Sequence, residues 1–171
     1  EKEEKVKNTL LDMDVRVMTL ENVEKSIKNL PALIMPILNE AKVFLNPFLI
    51  EELKKKSIDF RKFKWNFEDI KRIVKIIESF IEVYGDASPS DIYSLIMRIR
   101  ICYIMECLMN NRNFSNKGVE KLLLDYGLKE EKINEFFEIY RKIRENEEVN
   151  VKVKKEDILR LIKIVKDYSK S

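Results

Sequence analysis

The sequence contains no histidine, and this absence removes several kinds of active site at once. Ser-His-Asp and Cys-His triads, histidine general bases and mixed cysteine–histidine zinc sites all depend on an imidazole. Glycine is also rare, and Gly85, Gly118 and Gly127 lie far apart. The two glycine-rich motifs that cradle phosphates are therefore missing, and we predict no cofactor.

Thiol-based metal sites and membrane spans are disfavoured as well. Cys102 and Cys107 stand five residues apart in an apolar run, where a helix points them in different directions, so we interpret them as buried thiols of an intracellular protein. Arg98, Arg100 and Glu106 interrupt this run, which argues against a membrane span. The opening Glu-Lys-Glu-Glu is not typical of a signal peptide. We expect a cytoplasmic protein without a membrane partner, and whether Glu1 is a native start or a domain boundary stays open.

The composition that remains favours a helical protein with a substantial core. The chain has 171 residues, 45% of them hydrophobic, which suffices for one domain plus an appendage. Only 3 glycines and 4 prolines favour long helices over a turn-rich β fold. The 33 basic and 30 acidic residues leave a net charge of +3, too small for a general polyanion binder. Heavy use of Lys, Glu and Ile without glutamine is compatible with a thermophile, although an AT-rich genome would produce the same bias.

The spacing of apolar residues divides the chain into two parts. Residues 1–48 are predicted to form a small α/β element, because Asp12–Met18 alternates with period two and Ala41–Leu45 is typical of a short strand. Residues 49–171 show apolar side chains at three–four spacing, which predicts a helical bundle of about five helices. The predicted fold class is therefore mainly α with a small N-terminal α/β element.

Local signals place individual helices. Asn46-Pro47 and Ser88-Pro89 each combine an N-cap residue with a proline at the first helical position. Gly85 is expected to end the helix that precedes Ser88. The helix that follows, to about Met109, is apolar nearly all round, which predicts a central position in the bundle.

One stretch carries nearly all of the charge asymmetry. Between residues 54 and 65 six basic residues accompany one acidic residue, so the stretch is +5 and the remainder of the chain is 3 − 5 = −2. Cations that neutralise phosphates beside a ring that stacks on a base are typical of single-stranded nucleic-acid binding. Alternatively, Phe60, Phe63 and Trp65 anchor the connection between the two parts while the lysines stay in water. This basic-aromatic segment, a candidate nucleic-acid contact, comprises Lys54, Lys55, Lys56, Arg61, Lys62, Lys64 and Trp65.

Three charged residues, Arg98, Arg100 and Glu106, stand in the apolar helix. At about 100° per residue, Glu106 falls near the main apolar face and Arg100 flanks the other side of that face. A buried carboxylate must be paired or protonated, because leaving it bare costs several kcal/mol. The pattern indicates either a pocket for a charged ligand or an interhelical salt bridge with Arg141 or Arg144.

Asp12 and Asp14 are weak candidates for a metal site. Two carboxylates two residues apart on a strand are an arrangement that holds Mg²⁺ for phosphoryl transfer. No third carboxylate or phosphate-holding loop accompanies them, so Asp12 is interpreted as a turn residue that leads into the strand. We predict no catalytic residue.

The order of several segments carries a family resemblance. A strand at Asp14–Met18 is followed by the helix start Thr19-Leu20-Glu21, then by Leu30-Pro31-Ala32-Leu33 and Ile37–Leu45; the second half adds Ile92–Leu108 and Ile139–Arg144. This order resembles the C-terminal part of archaeal minimal nucleotidyltransferases of the polymerase-β type. In that family a similar stretch follows the catalytic loop and leads into a HEPN-like or substrate-binding helical bundle.

The resemblance implies a recognition part that lacks the family's chemistry. The catalytic Gly-Ser loop with its metal-binding aspartates does not occur in this chain. Active HEPN ribonucleases carry a histidine some four to six residues after an arginine, whereas Arg141 is followed by Lys142-Ile143-Arg144-Glu145-Asn146. No imidazole is present to act as an acid or base.

We therefore expect a non-catalytic helical binding module that presents RNA, DNA or another charged substrate to a nucleotidyltransferase-type catalytic domain. The basic-aromatic segment would supply the electrostatic contact and Trp65 a stacking ring, with a second cationic set at Arg98, Arg100, Arg141 and Arg144. One alternative is a helical interaction or dimerisation module, similar to toxin–antitoxin elements, that binds a partner protein or a second copy. Another is a fragment of a Mg-dependent nucleotidyltransferase in which Asp12 and Asp14 complete a metal site.

Overall fold

The protein is mainly α-helical in the residues that the computed structural model describes, which are 17–85, 87–151 and 153–169. These residues form two compact units that divide between Asp59 and Phe60. The mainly α class is confirmed, but the described ranges contain eight α-helices rather than a small α/β element followed by a bundle of about five helices. They are α1 (Leu20–Asn29), α2 (Pro31–Glu40), α3 (Pro47–Lys54), α4 (Lys64–Tyr84), α5 (Pro89–Met109), α6 (Asn116–Asp125), α7 (Glu130–Arg144) and α8 (Lys155–Tyr168), with a 3₁₀ turn at Phe60–Phe63.

The N-terminal unit contains α1, α2 and α3, each of which begins at a residue suited to start a helix. The Thr19 hydroxyl accepts a hydrogen bond from the backbone N–H of Asn22 at 3.2 Å, and the Asn46 side-chain oxygen accepts one from Leu49 N–H at 3.3 Å. Pro31 is the first residue of α2, where its missing N–H costs nothing. Helix α1 packs against α2, and α2 packs against α3.

The predicted N-terminal α/β element is wrong for the described residues, none of which forms a strand. Ala41–Leu45 is an irregular connection between α2 and α3, with Phe44 91% and Leu45 87% exposed. A strand needs a neighbour for its backbone hydrogen bonds, and the described part of the chain offers it none. Val17 and Met18, the end of the other predicted strand, are also irregular, whereas Asp12–Arg16 lie outside the described residues.

The C-terminal unit contains α4 to α8, and α5 is its central helix. Gly85 ends α4 with a φ of +73°, a conformation that favours glycine. Ser88 then starts α5 with a capping box: the Asp91 N–H donates to the Ser88 hydroxyl at 3.3 Å, and the Ser88 N–H donates to the Asp91 carboxylate at 2.8 Å. Helix α5 contacts α4, α6, α7 and α8, so its predicted central position is confirmed.

Buried side chains from all five helices form the core of this unit. Helix α5 contributes residues on several sides, and α7 and α8 each contribute one apolar face. The most completely buried members include Leu95, Ile96, Ile99, Met105, Phe136, Ile158 and Leu161. Within the described ranges, no helix is both long and apolar enough to cross a membrane. The predicted domain boundary between residues 48 and 49 stays a prediction.

Candidate functional site

Arg100 lies close to two aromatic rings in the C-terminal unit. Its guanidinium carbon is 5.3 Å from the ring centre of Tyr140, on α7, and 5.7 Å from that of Phe114, just before α6. All three residues are half-buried. Both distances lie within the range of cation–π attraction, so the rings hold the planar guanidinium in place.

Further side chains extend this arrangement at both ends. Tyr93 stacks on Tyr140 with ring centres 5.2 Å apart and an interplanar angle of 20°, and the Arg144 guanidinium lies 6.0 Å from the Tyr140 ring. The local sequence explains these contacts, because Tyr93 and Arg100 are two helical turns apart and Tyr140 and Arg144 are one turn apart. We call this set the Arg100 cluster: Tyr93, Arg100, Phe114, Tyr140 and Arg144.

The hydrogen-bond donors of Arg100 are available to a ligand. None of the described residues accepts a hydrogen bond from Arg100 or forms an ion pair with it. The neighbouring Arg141 and Arg144 do have an ion-pair partner. The Glu145 carboxylate lies 3.2 Å from the Arg141 guanidinium and 3.3 Å from that of Arg144. An arginine with five N–H donors, a fixed orientation and no carboxylate partner is suited to bind a phosphate.

Close packing supports the Phe114 side of the cluster. The Tyr103 ring lies 5.9 Å from that of Phe114 and against Gly118 in α6, where a Cβ atom would clash with the Tyr103 ring and hydroxyl. Burial raises the pKa of Tyr103, and a hydrogen bond with Cys107 raises it further. Gly118 therefore lets α6 approach α5 closely, with Tyr103 packed between Gly118 and the Phe114 ring.

The structure separates the charged residues that the sequence grouped in α5. Arg98 points away from Arg100 and is buried, with hydrogen bonds to the Asp69 carboxylate at 3.1 Å and the Ser94 carbonyl at 3.3 Å, and its Nε has no partner. Burial raises the pKa of Asp69, but hydrogen bonds from Arg72 and Arg98 outweigh it, so the pKa lies below its ordinary value.

Glu106 takes neither of the partners that the sequence suggested. It is half-exposed and forms its ion pair with Arg112, in the turn after α5, whereas Arg141 and Arg144 bond to Glu145. Of the predicted pocket residues, the structure thus brings Arg100 and Arg144 together around Tyr140. Arg98 and Glu106 form separate ion pairs elsewhere on α5.

In the N-terminal unit, the lysines of the basic-aromatic segment are partly neutralised. Lys54 pairs with Glu51 at 2.8 Å and Lys56 with Glu24 at 2.6 Å, while Lys55 is exposed. The Lys54 ammonium lowers the pKa of Glu51.

The remaining members of the segment belong to the C-terminal unit. Lys64 lies 3.9 Å from Glu68, Trp65 is 49% exposed, and both Arg61 and Lys62 lie in the 3₁₀ turn. Phe63 in the same turn is buried, which agrees with an anchoring role for that aromatic residue alone.

The aspartates proposed as weak metal ligands, Asp12 and Asp14, lie outside the described residues. In the part of the chain that is described, no group of three His, Cys, Asp or Glu side chains could hold a metal ion. Cys102 and Cys107 are both buried and free, and burial raises the pKa of Cys102 to about 12.

The outer face of α4 is apolar and exposed. A shallow hollow of about 290 Å³ lies along it, where the Phe80 and Tyr84 rings stack with centres 5.7 Å apart and Val83 is 72% exposed. Large exposed apolar surfaces often mark contacts with other molecules. The interaction or dimerisation alternative stays a prediction, and sedimentation at several concentrations tests it.

The aromatic members of the Arg100 cluster were missed by sequence reasoning. The seven-residue spacing of Tyr93 and Arg100 and the four-residue spacing of Tyr140 and Arg144 were visible signals. Phe114 had no such signal, because it lies in an irregular segment.

No family model, no curated protein and no solved structure matches this chain.

Proposed function

We propose that the C-terminal unit is a non-catalytic binding module for single-stranded nucleic acid and that the Arg100 cluster is its contact surface. The observation that carries this proposal is the state of Arg100: two rings hold its guanidinium, and its N–H groups have no partner among the described residues. A phosphate placed there receives two parallel hydrogen bonds from one preformed group.

The aromatic residues of the cluster supply the second half of the contact. Tyr140 is covered by Tyr93 and the two arginines, whereas Tyr93 is half-buried and stacked on Tyr140 alone, so we expect a nucleobase to stack on the Tyr93 ring. Stacking of a base on an aromatic side chain contributes about 1–3 kcal/mol. Stacking also depends little on base identity, so we expect broad recognition of unpaired strands rather than a sequence code.

The charge of the chain agrees with a local contact. With a net charge of +3, long-range attraction to a polyanion is weak. The affinity should depend on a few phosphate contacts, so it should decrease only slightly as the salt concentration rises. Double-stranded nucleic acid, whose bases are already stacked on one another, should bind less well.

The family resemblance supports a further part of the proposal, namely that the bound strand is presented to a nucleotidyltransferase-type catalytic domain. Adding this chain to such a domain should increase nucleotide transfer to a short RNA. The Arg100→Ala variant should lose the increase. If the variant increased nucleotide transfer as much as the wild type, presentation of the strand would not depend on the Arg100 cluster.

Fluorescence anisotropy with a labelled single-stranded RNA tests the binding proposal. Arg100→Ala should raise the Kd about tenfold, equivalent to about 1.4 kcal/mol. Arg100→Lys keeps the charge but loses the planar fork, so it should restore only part of the affinity. Arg160→Ala is the matched control, because Arg160 on α8 is exposed and forms no ion pair among the described residues. Equal affinities of the wild type and Arg100→Ala would contradict the proposal.

A further inference from the structure

Helix α4 carries two apolar faces side by side, and the C-terminal unit covers one of them. The covered face, where α4 packs against α5 and α8, includes three buried isoleucines: Ile70, Ile77 and Ile81. The second face has members four, seven and eight residues after its first, a spacing that places them on one side of the helix: Ile76, Phe80, Val83 and Tyr84. One apolar face is enough for a helix at a protein surface, so the second face is typical of a contact with another molecule.

The second face is largely exposed. Ile76 is 42%, Phe80 55% and Tyr84 69% exposed, and Val83 is the most exposed of the four. The hollow of about 290 Å³ along α4 lies among these side chains. The face can therefore receive a side chain from a partner.

The area of this face is close to what a specific dimer requires. An aromatic side chain buries about 200 Å² in a protein interior, so the exposed parts of Phe80 and Tyr84 amount to about 250 Å². With Ile76 and Val83, each copy of the chain offers about 400 Å² of apolar surface. Two copies would hide about 800 Å² together, and the flanking polar side chains raise the interface to about 1,000 Å², the lower limit for a specific contact.

Two charged residues beside the apolar face indicate that the partner is a second copy of this chain. Lys75 lines the hollow, and Glu82 is seven residues later, so both lie along the same edge two helical turns apart. Both are exposed, and neither forms an ion pair with a described residue. If two α4 helices pack antiparallel, Lys75 of each copy lies opposite Glu82 of the other, and the ion pair forms twice. A parallel arrangement would place like charges opposite each other, which is unfavourable.

The centre of such a contact lies near Ser79. This residue stands about midway between Lys75 and Glu82, is exposed and lines the hollow. Its short side chain lets the two helices approach closely. In a two-fold arrangement centred there, Phe80 of each copy packs against Ile76 of the other.

We propose that the outer face of α4 is the interface of an antiparallel, two-fold symmetric homodimer. Both copies use the same patch, which is apolar in its middle and carries one cation and one anion on its edge. The modest area predicts a dimer that dissociates on dilution. The inference does not depend on the proposed nucleic-acid function, because no residue of the Arg100 cluster belongs to α4.

Sedimentation equilibrium of the full chain without nucleic acid, from about 5 to about 500 µM, tests this inference. The average mass of the wild type should rise with concentration from 20.5 kDa towards twice that value. A mass of 20.5 kDa at every concentration would overturn the inference and leave the face to a different protein.

A pair of variants shows whether association occurs through α4. Phe80→Glu should raise the dimer Kd at least about tenfold, because it places a charge in the middle of the apolar contact. The matched control is Leu124→Glu on α6, which introduces the same charge at a position that is 46% exposed and should change the Kd less than about twofold. Equal weakening by both variants would place the contact elsewhere and overturn the inference.

Charge reversal tests the antiparallel pairing. Lys75→Glu alone and Glu82→Lys alone should each raise the dimer Kd about tenfold, because both ion pairs of the dimer become repulsive. The two changes combined in one chain recreate opposite charges across an antiparallel interface, so the Kd should return to within about threefold of the wild type. Additive weakening in the double variant would overturn the inference.

Arg100→Ala separates this inference from the proposed nucleic-acid function. The variant should dimerise with the wild-type Kd, because Arg100 lies on α5 and outside the outer face of α4. Loss of dimerisation in that variant would mean that the copies associate through the Arg100 cluster, which would overturn the inference.

Discussion

Replacing Asp69 with asparagine should destabilise the C-terminal unit strongly, although Asp69 itself is only half-buried. The reason is its partner Arg98, whose side chain is only 10% exposed and whose Nε already has no hydrogen-bond partner. Removing one member of a fully buried ion pair costs about 3–5 kcal/mol, because an uncompensated charge remains inside. The Asp69 side chain is 27% exposed, so we expect a smaller loss of about 2–3 kcal/mol.

Urea denaturation followed by circular dichroism measures this loss. Arg72→Ala is the matched control, because Arg72 bonds to the same carboxylate at 2.7 Å but is 67% exposed. The control should cost no more than about 0.5 kcal/mol. The double change Asp69→Asn with Arg98→Met should cost less than the sum of the single changes, since no unpaired charge is then buried. A loss below about 0.5 kcal/mol for Asp69→Asn would refute the reasoning.

The same ion pair predicts the direction of a pH effect. The pKa of Asp69 in the folded chain is lower than its ordinary value of 3.8, so the folded chain binds the proton less readily than the unfolded chain. The stabilisation by Asp69 is therefore complete above that value, decreases as the pH falls below it, and is lost once the folded carboxyl is protonated. The difference in unfolding free energy between the wild type and Asp69→Asn should therefore become smaller as the pH falls below 3.8.

Three further predictions concern other parts of the chain. Gly118→Ala should cost about 1–3 kcal/mol in unfolding free energy, because its Cβ would clash with Tyr103; wild-type stability would contradict the close packing of α6. Cys102 and Cys107 should react slowly with a thiol reagent at pH 8 in the folded chain and quickly in denaturant, and fast labelling of the folded chain would contradict their burial. Calorimetric titration with Mg²⁺ and a nucleotide should give no saturable heat, whereas saturation would favour the alternative of a nucleotidyltransferase fragment.

Sequence reasoning succeeded where structure depends on neighbouring residues. Ser88 and Pro89 correctly predicted the start of α5, and Gly85 correctly predicted the end of α4. The strand predicted at Ala41–Leu45 failed because its apolar pattern is local, whereas a strand requires a partner elsewhere in the chain. A short apolar run cannot by itself supply that partner.

The candidate site shows the same limit. Helical periodicity indicates that Arg98 and Arg100 point in different directions, but not that Asp69, 29 residues earlier, pairs with Arg98. It likewise cannot indicate that Tyr140 on another helix and Phe114 in an irregular segment both approach Arg100. Such contacts depend on how the helices pack.

Mapping a bound single-stranded RNA by NMR on the isotope-labelled full chain is the most direct test of the proposed contact surface. Backbone amide shifts should concentrate near Tyr93 and Arg100 in α5 and Tyr140 in α7. The Nε–Hε signal of Arg100 should move with the same apparent affinity. Shifts confined to the basic-aromatic segment, or no shifts at saturating RNA, would contradict the account.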